Sequence, residues 1–202
     1  MQIYRSELSP AFVDIFLKEI GLKEDEFELV LSHFRREFLP RNFFYVKPGQ
    51  INAFNSYLSK GSTRTYTINE KGEEHILYFS FEDWWIGDLE SMITGKPSRL
   101  YCQAIEDCEI LSISIAEFEK LKEQFPSLKH WHEERMRRYV FSVIHRLTEV
   151  KAFTPEERYL HLLKKHSQIF QRIPLHHIAS YLGIEPASLS RLRRRISSKK
   201  NT

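Results

Sequence analysis

The sequence predicts an α+β protein: a barrel or jelly roll of short strands with flanking helices, one long helix, and a basic helical module at the C-terminal end. Three observations carry this. Short aromatic and β-branched stretches separated by turn residues crowd residues 41–116. No glycine or proline interrupts residues 127–154. Cationic residues gather in the last quarter of the chain.

The first 40 or so residues read as helical. Ser9-Pro10 supplies a cap and a first-turn proline, Phe12, Ile15, Phe16 and Ile20 follow helical spacing, and Gly21 ends the run. A second stripe follows at Phe27, Val30, Leu31 and Phe34. Residues 41–116 then read as strands at 43–46, 57–58, 65–68, 76–79 and 110–115, punctuated by Lys47-Pro48-Gly49-Gln50, Lys60-Gly61 and Asn69 to Gly72. From Glu109 to Ile115 the apolar residues alternate at period two, as a half-buried strand requires. Many short strands with frequent turns favour a closed barrel or a jelly roll.

Residues 116–150 read as helical, with one long helix over 126–150. Met136, Val140, Val143, Leu147 and Val150 step by four, three, four and three, the spacing of a coiled-coil seam, and predict a homodimer interface. The alternative is an apolar stripe packed on the protein's own barrel. Glu149 to Phe153 reads as the hinge into the C-terminal module.

Residues 151–202 hold eleven Lys and Arg against the three acids Glu156, Glu157 and Glu185, a net of +8, which leaves −5 for the first 150 residues of a chain carrying +3. Such a split suggests a polyanion-binding module joined to something else; a solvated basic tail would lack apolar periodicity. This segment has it. Thr154-Pro155-Glu156-Glu157 is a capping box that opens a helix with Tyr159, Leu162 and Leu163 inward. Pro174 starts a second helix carrying Leu175, Ile178, Ala179 and Leu182 on one face, and Gly183 stops it. Pro186 opens a third, with Leu189, Leu192 and Ile196 inward. Small Ala179 four residues before Gly183 and apolar Leu189 six after it form the pattern of a helix-turn-helix. The outward face of the last helix offers Ser188, Ser190, Arg191, Arg194 and Arg195 to phosphates and guanine edges, and Ala187 to a thymine methyl. A helical hairpin with a solvated basic face is the bland alternative.

Cys102 and Cys108 read as half-buried, inert thiols on one face of a single strand, too far apart to be bridged. The histidines are scattered, with only His75 among the strands, so no metal set is predicted, and His130 and His132 near the long helix read as solvated. No apolar run approaches a membrane span, and the charged, amphipathic start does not read as a signal peptide, which predicts a cytoplasmic protein.

Phe44 to Gln50, Tyr57 through Gly61 to Tyr66 and Lys71 to Glu74, Ile86-Gly87-Asp88-Leu89-Glu90-Ser91, Pro97-Ser98, Ala104 to Glu109, Glu157-Arg158-Tyr159 and Ile178 to Ile184 together resemble the Crp–Fnr regulators. The resemblance covers nearly the whole chain. It implies a cyclic-nucleotide-binding-like double-stranded β-helix (jelly roll) sensor over residues 1–125, a dimerisation helix over 126–150 and a helix-turn-helix DNA-binding domain over 151–202. It implies a bacterial transcription regulator, not an enzyme, that binds double-stranded DNA as a homodimer and contacts RNA polymerase, with an effector cassette at Gly87, Asp88, Leu89, Ser98 and Arg99. Two departures stand out. Cyclic-AMP-binding members carry an acid after the cassette glycine and an arginine some ten residues later; here Asp88 is one methylene short and Ser98 fills the arginine position. Arg99, next along a strand, would point the other way without a bulge, so the sequence argues against cyclic AMP and no cofactor is assigned. Few residues follow Arg195, so the family's wing is expected to be reduced or absent, with Lys199 and Lys200 taking over phosphate contacts. The N-terminal cysteines of the family's cluster-holding branch are also missing. The competing functions are a jelly-roll adaptor acting through protein partners and a cupin-type metalloenzyme, which would need clustered histidines on the strands.

Overall fold

The computed structural model describes residues 3–166 and 168–200. Helix α1 (Pro10–Asp14) begins at Ser9, whose hydroxyl accepts from the Phe12 N–H, and continues into a π-helical turn over Ile15–Glu19. After α2 (Glu24–Ser32) the chain turns into a strand, β1 (Arg35–Leu39), where the sequence suggested continued helix. Pairing decides this: β1 is hydrogen-bonded along its length to β8 (Cys108–Ser114), a partner some seventy residues away that no local pattern reveals.

Between these lie β2 (Phe44–Val46), β3 (Phe54–Lys60), β4 (Thr63–Ile68), β5 (Glu74–Ser80), β6 (Trp84–Ile86), the short helix α3 (Leu89–Thr94) and β7 (Tyr101–Ala104). They form two four-stranded sheets, β1-β8-β3-β6 and β2-β7-β4-β5, with antiparallel pairing, and apart from the neighbouring β4 and β5, strands adjacent in sequence alternate between the sheets as in a jelly roll. Gly61 makes the tight turn between β3 and β4 at φ +99°, and a Cβ there would lie 2.6 Å from the Cys108 sulfur. Only glycine fits.

Two cores result. Leu39, Val46, Leu58, Ile86, Cys102, Ala104, Cys108 and Ile110 fill the inside of the roll. Phe12, Phe16, Phe27 and Phe34 cover the other face of β3 and β8 against Tyr57, Leu111 and Ile113, with the Phe12 and Tyr57 rings 4.8 Å apart. Strand β8 is therefore buried on both faces rather than half-buried: the N-terminal helices cover Leu111 and Ile113, while buried Ser112 shares the inner face with Cys108 and Ile110 and a hydrogen bond with Ser56 at 2.8 Å. The two cysteines lie on separate strands, β7 and β8, both buried and unbridged, and burial raises their pKa values to about 11 and about 12. Neither is poised to react at neutral pH.

Helix α4 (Ile115–Gln124) leads into α5 (Pro126–Ala152), whose 27 residues make it about 40 Å long. The helix runs past the expected hinge; only Phe153 and Thr154 separate it from α6 (Pro155–Lys165). Then come α7 (Ile169–Arg172), α8 (Leu175–Leu182) and α9 (Pro186–Lys200). Residues 196–200 are helical, and the side chains of Lys199 and Lys200 lie outside the described residues. The chain divides into two compact units, Met1–Thr67 with Tyr78–Met136, and Ile68–Leu77 with Arg137–Thr202. No helix among the described residues is long and apolar enough to cross a membrane, and no group of three His, Cys, Asp or Glu is placed to hold a metal.

Candidate nucleic-acid interface and effector cassette

In the second unit, Ile178, Ala179 and Leu182 of α8 and Leu189 and Leu192 of α9 are all buried, and the two helices lie against each other. Gly183 turns the chain at φ +67°, and the following Ile184 N–H donates to the Ala179 carbonyl at 3.0 Å, closing the end of α8. Leu175, expected inward, is exposed in the first turn of α8.

The outward face of α9 carries Ala187, Ser190, Arg191, Arg194 and Arg195, all exposed, and half-buried Ser188. Arg191 donates to the Ser188 hydroxyl at 2.9 Å, and Ser190 donates to the Pro186 carbonyl at 3.0 Å. Arg195 is not open: it pairs with Glu156 in the first turn of α6. Arg193 turns aside over the Phe170 ring, 5.6 Å from its centroid.

Three supports of this surface escape sequence reading. Arg158 donates to the carbonyls of Phe153 at 2.7 Å, Val150 at 3.3 Å and Leu182 at 2.9 Å, so one cation serves the C-terminal ends of both α5 and α8. Arg146 of α5 stacks on Tyr181, 3.8 Å from its centroid, and donates to the Tyr181 carbonyl. Ser180 donates to the Glu74 carbonyl at 2.7 Å and accepts from the Ile76 N–H at 3.1 Å, taking the place of a neighbouring strand along the edge of β5. In the sequence Arg158 counts only in the charge balance and, with Ser180, in the family resemblance, and Arg146 does not stand out. Their partners are backbone carbonyls and amides, most of them remote in the chain, which carry no sequence signature.

In the first unit the cassette residues fall around the start of α3. Gly87 has φ +128°, and a Cβ there would sit 2.3 Å from the Asn52 amide oxygen. That oxygen accepts from the Asp88 N–H at 2.8 Å, while the buried Asp88 carboxylate caps α3 by accepting from the Glu90 N–H at 3.0 Å. Leu89 opens α3. Ser98 is buried; its hydroxyl accepts from the Leu100 N–H at 2.9 Å and donates to the Leu100 carbonyl at 3.2 Å. Arg99 is largely exposed and pairs with Glu90 at 3.1 Å; it and Ser98 lie in the loop before β7, not on a strand as the sequence suggested. Sequence reading missed Asn52, whose amide organises Gly87 and Asp88 from another loop.

Residues 35–125 match the cyclic nucleotide-binding domain family. No curated protein matches the chain. Among solved structures, FixK2 from Bradyrhizobium japonicum is similar with a TM-score of 0.73 and 14% identity, over 83% of this chain and 86% of that one. The catabolite activator protein of Thermus thermophilus gives 0.57 and 20%, over 95% and 88%. A protein assigned to the Crp/Fnr transcriptional regulators from Eubacterium rectale gives 0.69 and 16%, over 95% and 88%. At these identities the likeness is one of fold: a cyclic-nucleotide-binding-type jelly roll followed by helices.

Proposed function

We propose that this chain is a transcription regulator of the Crp–Fnr type that binds duplex DNA as a homodimer through the α8–turn–α9 helix-turn-helix. The observation that carries the reading is α9 itself. Its apolar side is buried, while Arg191, Ser190, Ala187 and Arg194 stand exposed on the other side, suited to a major groove. The homodimer is supported by α5, where Val140, Val143, Leu147 and Val150 form an exposed apolar stripe with half-buried Met136 at its start. Ile144 lies on the same stripe, and Tyr139 and Phe141 flank it. A 4-3 repeat of exposed apolar side chains suits a second copy of itself. Contact with RNA polymerase, a cytoplasmic location and the absence of catalysis follow from the same reading.

The jelly roll serves as dimer scaffold or as sensor of an unidentified small molecule, with cyclic AMP disfavoured. Ser98 stands where a guanidinium would meet the cyclic phosphate, and Arg99 is engaged outside. An adaptor acting through protein is the lesser reading, since it leaves the exposed arginines of α9 without a purpose.

The deciding experiment selects duplexes from a random pool and compares Arg191→Ala with Arg194→Ala on the selected operator and on random DNA. The operator should be an inverted repeat. Loss of Arg191 should cost about 1–3 kcal/mol on the operator and blur one base pair per half-site, whereas loss of Arg194 should weaken both DNAs alike. A pool that yields no preferred sequence sinks the reading.

A further inference from the structure

The three acids of the C-terminal module are not equivalent. The Glu157 carboxylate accepts from the Thr154 N–H at 2.7 Å and its hydroxyl at 2.8 Å, completing the cap of α6. Glu185 stands exposed just before α9. Glu156 instead reaches across to α9 and pairs with Arg195. The pair sits in a groove of about 620 Å³ between the start of α6 and α9, where Ser188, Arg191 and Leu192 form part of the wall. One acid thus neutralises one of the cations on the face assigned above to DNA.

The pair is poorly explained as a stability device. The Arg195 side chain is 58% exposed and that of Glu156 34%, and exposed ion pairs contribute only about 0–1 kcal/mol. The helix cap does not need it, because Thr154 and Glu157 already satisfy each other. A phosphate oxygen offers Arg195 the same charge-assisted bond that the carboxylate provides. The groove that holds Glu156 is also lined by Arg191 and Ser188, two further candidate DNA contacts.

We propose that Glu156 is an internal competitor for the DNA backbone: it holds Arg195 in the free protein, and a phosphate must displace it. The inference rests on the DNA-binding reading and gives that surface a residue that sets its sequence-independent affinity. Because the competition is with phosphate and not with a base, it weakens binding to every duplex by a similar factor. It also lowers the number of phosphates that the module neutralises fully.

The test measures affinity of the full-length protein for the selected operator and for random duplex across a salt series, by fluorescence anisotropy. Glu156→Gln should tighten binding to both DNAs by about 5–10-fold at low salt, and steepen the dependence of log K on log salt by nearly one unit. Arg195→Gln should weaken both, and Glu156→Gln added to it should give less than a twofold gain. Thermal unfolding of Glu156→Gln should stay within a degree or two of wild type. An unchanged or weaker affinity in Glu156→Gln overturns the competition, as does an equal gain with and without Arg195, which would make Glu156 a source of general repulsion. A large fall in melting temperature would make the pair a structural strap instead. Wild-type protein that binds no duplex even at low salt sinks the DNA reading and the competition together, whereas wild-type binding with an unresponsive Glu156→Gln sinks the competition alone.

Discussion

The two halves of α5 have opposite surroundings. In the first half Leu128 is fully buried against the aromatic core, and Trp131 and Arg135 are held on the jelly roll. The Arg135 guanidinium lies 4.5 Å from the centroid of Trp85 and 5.0 Å from that of Trp131. In the second half, seven large apolar side chains from Tyr139 to Val150 are 40–61% exposed. One continuous helix thus changes from a core element to one with an exposed apolar stripe. Periodicity alone describes both halves; what differs is whether the chain supplies its own cover. Where it does, a substitution should act on folding, and where it does not, on assembly.

The largest effect should come from the uncovered half. Leu147→Glu places a charge from each copy into the seam, which should raise the dimer dissociation constant more than about 1,000-fold and leave monomers with weak operator binding. Sedimentation checks it, and a persistent dimer moves the interface elsewhere. In the covered half, Leu128→Ala should remove about 2–5 kcal/mol of stability through the cavity it leaves, read by denaturant unfolding, with dimerisation of the folded protein intact. If both variants alter assembly and spare folding, the contrast between the halves is mistaken.

A smaller effect belongs to Ser180, which lies in the same unit as the uncovered half. Ser180→Ala leaves the Ile76 N–H and Glu74 carbonyl without their hydroxyl partner and should cost about 1–2 kcal/mol locally. The Ile76 amide should then exchange hydrogen faster while amides of β3 keep their protection.

The smallest effect tests the covered half by pH. His132, expected in solvent, packs edge-on to Phe118, and burial aided by Arg135 and Lys122 lowers its pKa to about 4. The folded pKa is below the ordinary value of 6.5, so the unfolded chain takes a proton that the native protein refuses. Stability should therefore fall as pH drops from 6.5 towards 4, by about 1 kcal/mol or less by pH 5 once solvent screening is allowed for. His132→Gln should flatten that slope in unfolding midpoints measured between pH 7 and 5.

Features governed by nearest neighbours were legible in the sequence. The cap at Ser9, the capping box at Thr154, the stop at Gly183 and the apolar spacing of α8 and α9 all depend on residues within a turn or two of each other. The alternation of turns and short strands likewise announced a jelly roll, and the charge split marked the module whose last helix displays its arginines. Only the tertiary structure decided the rest. It made residues 35–39 a strand by pairing them with β8, put Cys102 and Cys108 on different strands, buried His132, and set Asn52 against Gly87. It also sent Arg158 to the Leu182 carbonyl, Ser180 to a strand edge and Glu156 to Arg195. Each of these depends on groups brought together from distant parts of the chain, many of them backbone atoms that every residue carries, so no local pattern could announce the partner.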